Sequence, residues 1–230
     1  MRRRRRHLHS HPHSHPRRGR TRPLRRRPLP DVRSRVPTNS APPLRPAVFL
    51  DRDGTLIEDE HYLSDPARVR LRYGAAAAVR RINAAGLAAV VVTNQSGIAR
   101  GLFTEAQYAA VRDRVLELLA EAGARIDATY HCPHHPEFGP ACACRKPDVA
   151  LFQQAASEHA LDLARSAFVG DRLRDISPAA RFGAFGVLVP SADTPFGEMQ
   201  RAEAEFSVST TLGAAIDRVL ARAAAAGEER

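Results

Sequence analysis

Leu87 to Val92 is the longest strongly apolar run in the chain, and Thr93 closes it. It has the length of a strand. Its lack of alternation is the pattern of a strand buried on both faces, which belongs to parallel sheets covered by helices on either side. The theme repeats: Ala47–Asp51, Ala128–His131, Ala167–Gly170, Gly186–Val189 and Phe206–Val208 read as further strands. Helical spacing marks Ala75–Ala85, with Val79 and Ile82 on one face and Gly86 as its stop. A second helix opens on a Thr104/Gln107 capping box and runs to about Ala122, before Gly123. Asp148–His159, Asp175–Phe182 and a final amphipathic stretch through Leu212, Ile216, Val219 and Leu220 complete the set, while residues 52–73 read as a polar, irregular flap. Strand-helix alternation predicts an α/β fold with a doubly wound parallel sheet, in which ligands bind beyond the carboxyl ends of the strands.

Charge divides the chain in two. The whole carries +10, but residues 1–46 hold fifteen arginines against one acid, Asp31. That leader carries +14, so the remainder is mildly acidic at −4. Arg runs, alternating histidines and prolines bury too little surface to offset ordering entropy, so the leader is expected to be disordered and the folded domain to span 47–225. The leader reads either as an electrostatic arm or as a solvated tail. The acidic domain and its lack of a nucleic-acid fold motif count against a nucleic-acid partner. No run reaches the ~18–20 apolar residues of a membrane span, and no apolar segment follows Arg2–Arg6 as a targeting signal requires. A cytoplasmic setting without membrane contact is expected.

Two features demand chemistry. Val48-Phe49-Leu50 runs straight into Asp51-Arg52-Asp53-Gly54-Thr55, and Phe168-Val169-Gly170 into Asp171. Acids at buried strand ends repel each other and add nothing to a core, but three of them suit Mg²⁺, a hard cation that prefers oxygen. The three cysteines crowd into thirteen positions, an odd count that is no disulfide framework. Cys132, Cys142 and Cys144 with one histidine would close a tetrahedral Zn²⁺ site with no open position, hence structural; His134, His135 and His131 are all candidates for the imidazole.

Asp51–Thr55, Thr93, Lys146-Pro147 and Gly170-Asp171…Asp175, in that order, together resemble the haloacid dehalogenase (HAD) superfamily over residue 47 to about 220. The resemblance implies a Rossmann-like HAD fold with a minimal cap and a zinc-binding loop. It implies Mg²⁺-dependent phosphomonoester hydrolysis, with Asp51 as the nucleophile that forms an aspartyl-phosphate and Asp53 as general acid and then base. Thr93 and Lys146 would stabilise the phosphoryl oxygens, and Mg²⁺ would be held by Asp51, the backbone carbonyl of Asp53, and Asp171.

Thr93-Asn-Gln-Ser-Gly-Ile-Ala-Arg-Gly101, Cys132-Pro-His-His-Pro and Cys142-Ala-Cys-Arg-Lys-Pro147 are similar to the D-glycero-D-manno-heptose-1,7-bisphosphate 7-phosphatases. Histidinol-phosphate phosphatases share the zinc loop and supply the alternative substrate. This likeness favours His134 as the imidazole ligand. It places substrate contacts at Asp59, Glu60, His61, Tyr62, Asn94, Gln95, Ser96, Arg145 and Arg172, and implies a small phosphorylated sugar as substrate and a monomeric enzyme. The chain departs from the family twice: His61 precedes Tyr62 where a Gly is usual, and Arg172 replaces a Lys.

Overall fold

The structure, a computed structural model, describes residues 43–228. The reading of residues 1–42 lies outside the described residues. Six strands form one fully parallel sheet in the order β3-β2-β1-β4-β5-β6: β1 Ala47–Leu50, β2 Ala88–Asn94, β3 Ala128–Cys132, β4 Ala167–Gly170, β5 Phe185–Leu188 and β6 Ser207–Val208. The chain winds outward from β1 to one edge, then crosses to β4 and winds to the other. The switch point therefore lies between β1 and β4, where an open α/β sheet forms its binding crevice.

Side-chain alternation along β1 sends Val48 and Leu50 to one face and Ala47 and Phe49 to the other. The first face is covered by α1 (Ala75–Ala84), α2 (Glu105–Glu121) and α7 (Leu212–Glu228), through Val79, Ile82, Val111, Val115, Leu119 and Ile216. The second is covered by α3 (Ala150–His159) and α5 (Pro178–Phe182), through Phe152 and Ala155 on α3 and Ala179 on α5. Phe49 packs edge-on to Phe152 at 5.2 Å between ring centroids and lies 5.0 Å from Phe168. Both faces of β1 are thus closed by large apolar side chains, which fixes its carboxyl end at the rim.

Local signals explain the boundaries. The Thr104 hydroxyl accepts from Gln107 N at 3.2 Å while Gln107 Oε1 accepts from Thr104 N at 2.9 Å, the reciprocal cap expected at the start of α2. The helix expected over 175–182 is instead two short pieces, α4 (Leu173–Ile176) and α5, because Pro178 has no N–H to continue the ladder. The sequence reading missed α6 (Phe196–Glu205): Ala202 is its one buried residue, too weak an apolar face to register as periodicity. The flap is polar only at its tip; Leu56, Ile57, Leu63 and Val69 are buried in the core beneath it. Arg45, read as leader, pairs with the domain: its N–H donates to Ala160 O at 3.0 Å and its carbonyl accepts from Asp162 N at 2.9 Å.

Candidate active site

Asp51 follows β1 and Asp171 follows β4, on neighbouring strands, with Asp51 N still donating to Val169 O at 3.0 Å. Two glycines make the crowding possible. A Cβ on Gly54, whose φ is +72°, would stand 2.4 Å from Asp171 Oδ2, and one on Gly170 would stand 2.3 Å from Asp175 Cβ. Asp51, Asp171 and Asp175 thereby bring one carboxylate oxygen each to within 4.8 Å of one another, all three buried. Lys146 balances them. Its Nζ lies 2.6 Å from Asp51 Oδ1 and 2.8 Å from Asp175 Oδ1, and donates to Val92 O at 2.5 Å. Asn94 clamps the Lys146 peptide from both sides, accepting from its N–H at 3.0 Å and donating to its carbonyl at 3.1 Å.

One ammonium is too little charge for three buried acids. Burial first, and the neighbouring carboxylates with it, push Asp51 up to about 8 despite Lys146. Burial and Asp175 push Asp171 up to about 6. Asp175 and Asp51 outweigh burial at Lys146 and hold it above its ordinary value, firmly an ammonium. A second cation among these oxygens would let all the acids ionise, so the donor set fits a divalent ion with oxygen ligands. Asp175 completes the side-chain cluster, while the Asp53 carboxylate faces the cleft; the ligand expected from Asp53 is its backbone carbonyl, not this carboxylate.

Asp53 sits at the cleft in a fork from Arg52, whose Nε and Nη2 reach both carboxylate oxygens at 2.9–3.2 Å. Gln95 ties the group together, donating from Nε2 to Asp53 Oδ2 and to Thr93 Oγ1, each at 2.8 Å, and accepting from Arg52 Nη2 at 3.0 Å. Arg52 is 3 % exposed and lies over the Tyr108 ring at 5.5 Å. The sequence reading passed over Arg52 and left Asp175 without a role. An arginine between two strand-end acids, and an acid one helical turn after Asp171, were the available signals.

Cys132 ends β3, and the loop behind it returns Cys142 and Cys144 to it. Cys132 Sγ lies 3.7 Å from Cys142 Sγ, 3.7 Å from His134 Nδ1 and 3.1 Å from Cys144 Sγ, and His134 Nδ1 is 3.2 Å from Cys144 Sγ. A tetrahedron with Zn–S bonds of about 2.3 Å has edges of about 3.8 Å; two of these separations match it, and the two that involve Cys144 are 3.1 and 3.2 Å, shorter than such an edge. The other two histidines are turned away: His131 Nε2 meets Glu105 Oε2 and His135 Nε2 meets Arg100 Nη2, each at 2.9 Å. His134 is the imidazole in the cluster.

A cleft of about 390 Å³ opens beside Asp53. Asp59, His61, Tyr62, Asn94, Gln95, Ser96, Arg145 and Arg172 line it, as does Asp53. Glu60, expected with them, is outside the lining and pairs with Arg68 at 2.6 Å. His61 and Tyr62 turn the flap with left-handed φ values of 37° and 58°, and Asp59 Oδ1 accepts from His61 N at 3.1 Å. Arg145 Nη1 donates to His134 O at 3.2 Å, which joins the cleft to the thiol cluster. Arg172 is held by Glu198 of α6, and Arg100 and Arg174 add two further guanidiniums to the lining.

The chain is similar to known proteins. Residues 143–215 match the family described as HAD-hydrolase-like. A D-glycero-beta-D-manno-heptose-1,7-bisphosphate 7-phosphatase of Mesorhizobium japonicum is 47 % identical over 147 residues, covering 62 % of this chain and 68 % of that protein. Its namesake in Escherichia coli is 44 % identical over 140 residues, covering 59 % and 74 %. A crystal structure of a D,D-heptose 1,7-bisphosphate phosphatase from B. bronchiseptica, complexed with magnesium and phosphate, superposes with a TM-score of 0.67 at 34 % identity, covering 76 % of this chain and 98 % of that one.

Proposed function

This chain belongs to the HAD-like phosphatases that include the heptose-1,7-bisphosphate 7-phosphatases, and on that premise we propose that it removes the 7-phosphate of D-glycero-D-manno-heptose 1,7-bisphosphate through an aspartyl-phosphate. The observation that carries the reading is Lys146 Nζ bridging Asp51 and Asp175 at the end of β1, beside Asp171.

Asp51 is the proposed nucleophile. Its carboxylate oxygen forms a bond to phosphorus as the ester P–O bond on the opposite side breaks. Asp53, exposed to the cleft, gives the departing alkoxide a proton. In the second half Asp53 takes a proton from water, the water oxygen attacks phosphorus, and the acyl-phosphate bond breaks to return the Asp51 carboxylate and inorganic phosphate. Lys146 and the Thr93 hydroxyl would hold the phosphoryl oxygens, and Asn94 keeps Lys146 in place through its peptide. Asp51, Asp171 and the Asp53 carbonyl would hold Mg²⁺, with Asp175 beside them. When bound, Mg²⁺ supplies the positive charge that lets an anionic carboxylate approach an anionic phosphate.

We assign structural Zn²⁺ to Cys132, His134, Cys142 and Cys144. Arg145 and Lys146 follow Cys144 directly, so the metal would fix the loop that aims both cations. The remaining lining residues, Asp59, His61, Tyr62, Gln95, Ser96 and Arg172, are the proposed substrate contacts, Arg172 through the Nη1 that Glu198 leaves free. Among the described residues no helix is long and apolar enough to cross a membrane. We place the enzyme in the cytoplasm as a monomer.

The deciding experiment measures phosphate release from heptose 1,7-bisphosphate, histidinol phosphate and simple hexose phosphates, with Asp51→Asn as the blank. The highest kcat/KM is expected for heptose bisphosphate. A tenfold preference for histidinol phosphate would overturn the substrate assignment.

A further inference from the structure

The arginines of the cleft are not equally available to a ligand. Arg52 is engaged by Asp53 on both prongs. Arg172 donates Nε and Nη2 to Glu198 at 3.2 and 2.7 Å, and Glu198 also accepts from Leu173 N at 2.7 Å. A guanidinium forked to a carboxylate has already satisfied the geometry that would grip a phosphate. Arg174 lines the same cleft, but its nearest carboxylate oxygen, Asp175 Oδ1, is 3.9 Å away. That oxygen already takes Lys146 Nζ at 2.8 Å. The Nε of Arg174 is buried without a hydrogen-bond partner, while its side chain as a whole is 40 % exposed. It is a guanidinium with spare donors between the acid centre and open solvent.

We propose that Arg174 is a specificity-determining residue that grips the phosphate the enzyme leaves on the sugar. This rests on the bisphosphate reading above. A substrate with two phosphate monoesters brings about −1.5 to −2 charge on each at neutral pH. Lys146, with Mg²⁺ when it is bound, would meet the group being transferred. The second group needs cations of its own, and Arg172 is taken by Glu198. Arg100 also has an Nε without a partner, but its guanidinium is stacked on the Phe138 ring at 4.6 Å and its Nη2 meets His135 at 2.9 Å, which leaves Arg145 and Arg174 as the less committed donors. The planar fork of arginine matches phosphate oxygens better than a lysine would.

The test compares wild type, Arg174→Ala and Arg174→Lys on heptose 1,7-bisphosphate and heptose 7-phosphate. Arg174→Ala is expected to lower kcat/KM for the bisphosphate by about ten- to a hundredfold, mostly through KM. That loss should exceed the loss on the monophosphate at least tenfold. Arg174→Lys keeps the charge that supports folding but not the fork, and should recover only part of the bisphosphate preference. Equal losses on both substrates would overturn the assignment, because Arg174 would then act at the transferred group or through Asp175. A wild-type enzyme that does not favour the bisphosphate overturns the substrate reading and this inference with it, and that failure is visible without any substitution.

Discussion

The Lys146 ammonium lies 2.6 Å from the Asp51 carboxylate, although 95 positions separate the two residues in sequence. Lys146 is 3 % exposed and Asp51 7 %, so the pair is held in a dry centre, where Asp175 gives the ammonium a second carboxylate at 2.8 Å. Lys146→Met should lower kcat by about 10²–10³-fold, the cost of losing one donor to the reacting group. It should also destabilise the fold by about 3–5 kcal/mol, because it strips a buried pair of one partner. Asp51→Asn should abolish turnover without lowering the melting temperature, since burial already disfavours the ionised form of that carboxyl. Phosphate release and thermal unfolding read both variants, and turnover by Asp51→Asn would refute the covalent route.

Cys142→Ala removes one donor from a cluster that the chain closes within thirteen positions. The variant should lose its zinc by elemental analysis and melt earlier. Its kcat should fall as well, because Arg145 and Lys146 lie immediately after Cys144. Unchanged metal content would refute the ligand set.

Asp127 predicts how the fold responds to acid. Its side chain is 5 % exposed. Burial opposes its ionisation, but the Ala89 amide at 2.8 Å and the guanidiniums of Arg125 and Arg45 outweigh it and hold the carboxyl below its usual range. A depressed folded pKa gives stability that is present above about 4, the unfolded value, and lost as pH falls through the folded value. Asp127→Asn should therefore cost about 1–3 kcal/mol at neutral pH and flatten the decline in acid. Melting curves from pH 3 to 7 should converge at the acid end; curves that stay parallel would rule out the ionised pairing.

His61 holds a left-handed backbone conformation without being glycine. That conformation costs an L-residue roughly 1–2 kcal/mol, part of which is offset in the unfolded state because glycine is freer there. His61→Gly should raise stability by up to about 1 kcal/mol, and His61→Val should lower it. Denaturant midpoints that move the other way would mean that the flap turns differently.

The sheet and most of the rim were legible because each buried strand leaves a continuous apolar run, and the residue after that run is fixed to the carboxyl edge. Asp51, Thr93 and Asp171 are placed by that rule alone. Lys146 was legible through its motif, although its partners come from β1 and α4. Asp175 stood in its motif without a role, Arg52 was marked only by its place between two acids, and Glu198 carries no mark at all. Their roles exist only once distant segments meet: Asp175 against Lys146, Arg52 against Asp53 and Gln95, Glu198 against Arg172. Glu60 shows the reverse case. It stands in the expected flap motif, yet its carboxylate turns to Arg68. The helix that carries Glu198 escaped notice for the same reason: Met199 and Ala202 bury against Leu173 and Ile176, a partner surface that local periodicity does not reveal.

The tip of the cysteine loop, residues 136–141, is exposed, with Cys132 and His134 on one side of it and Cys142 and Cys144 on the other. Its peptide bonds are therefore open to a protease. A nick there would part Asp51 and Thr93 from Lys146 and Asp171 in the covalent chain. The two pieces would still share a sheet in which β1 pairs with β4, and the donor cluster would staple them beside the break. The enzyme is thus built so that a cut at these exposed peptide bonds would leave the two halves of its proposed catalytic centre together.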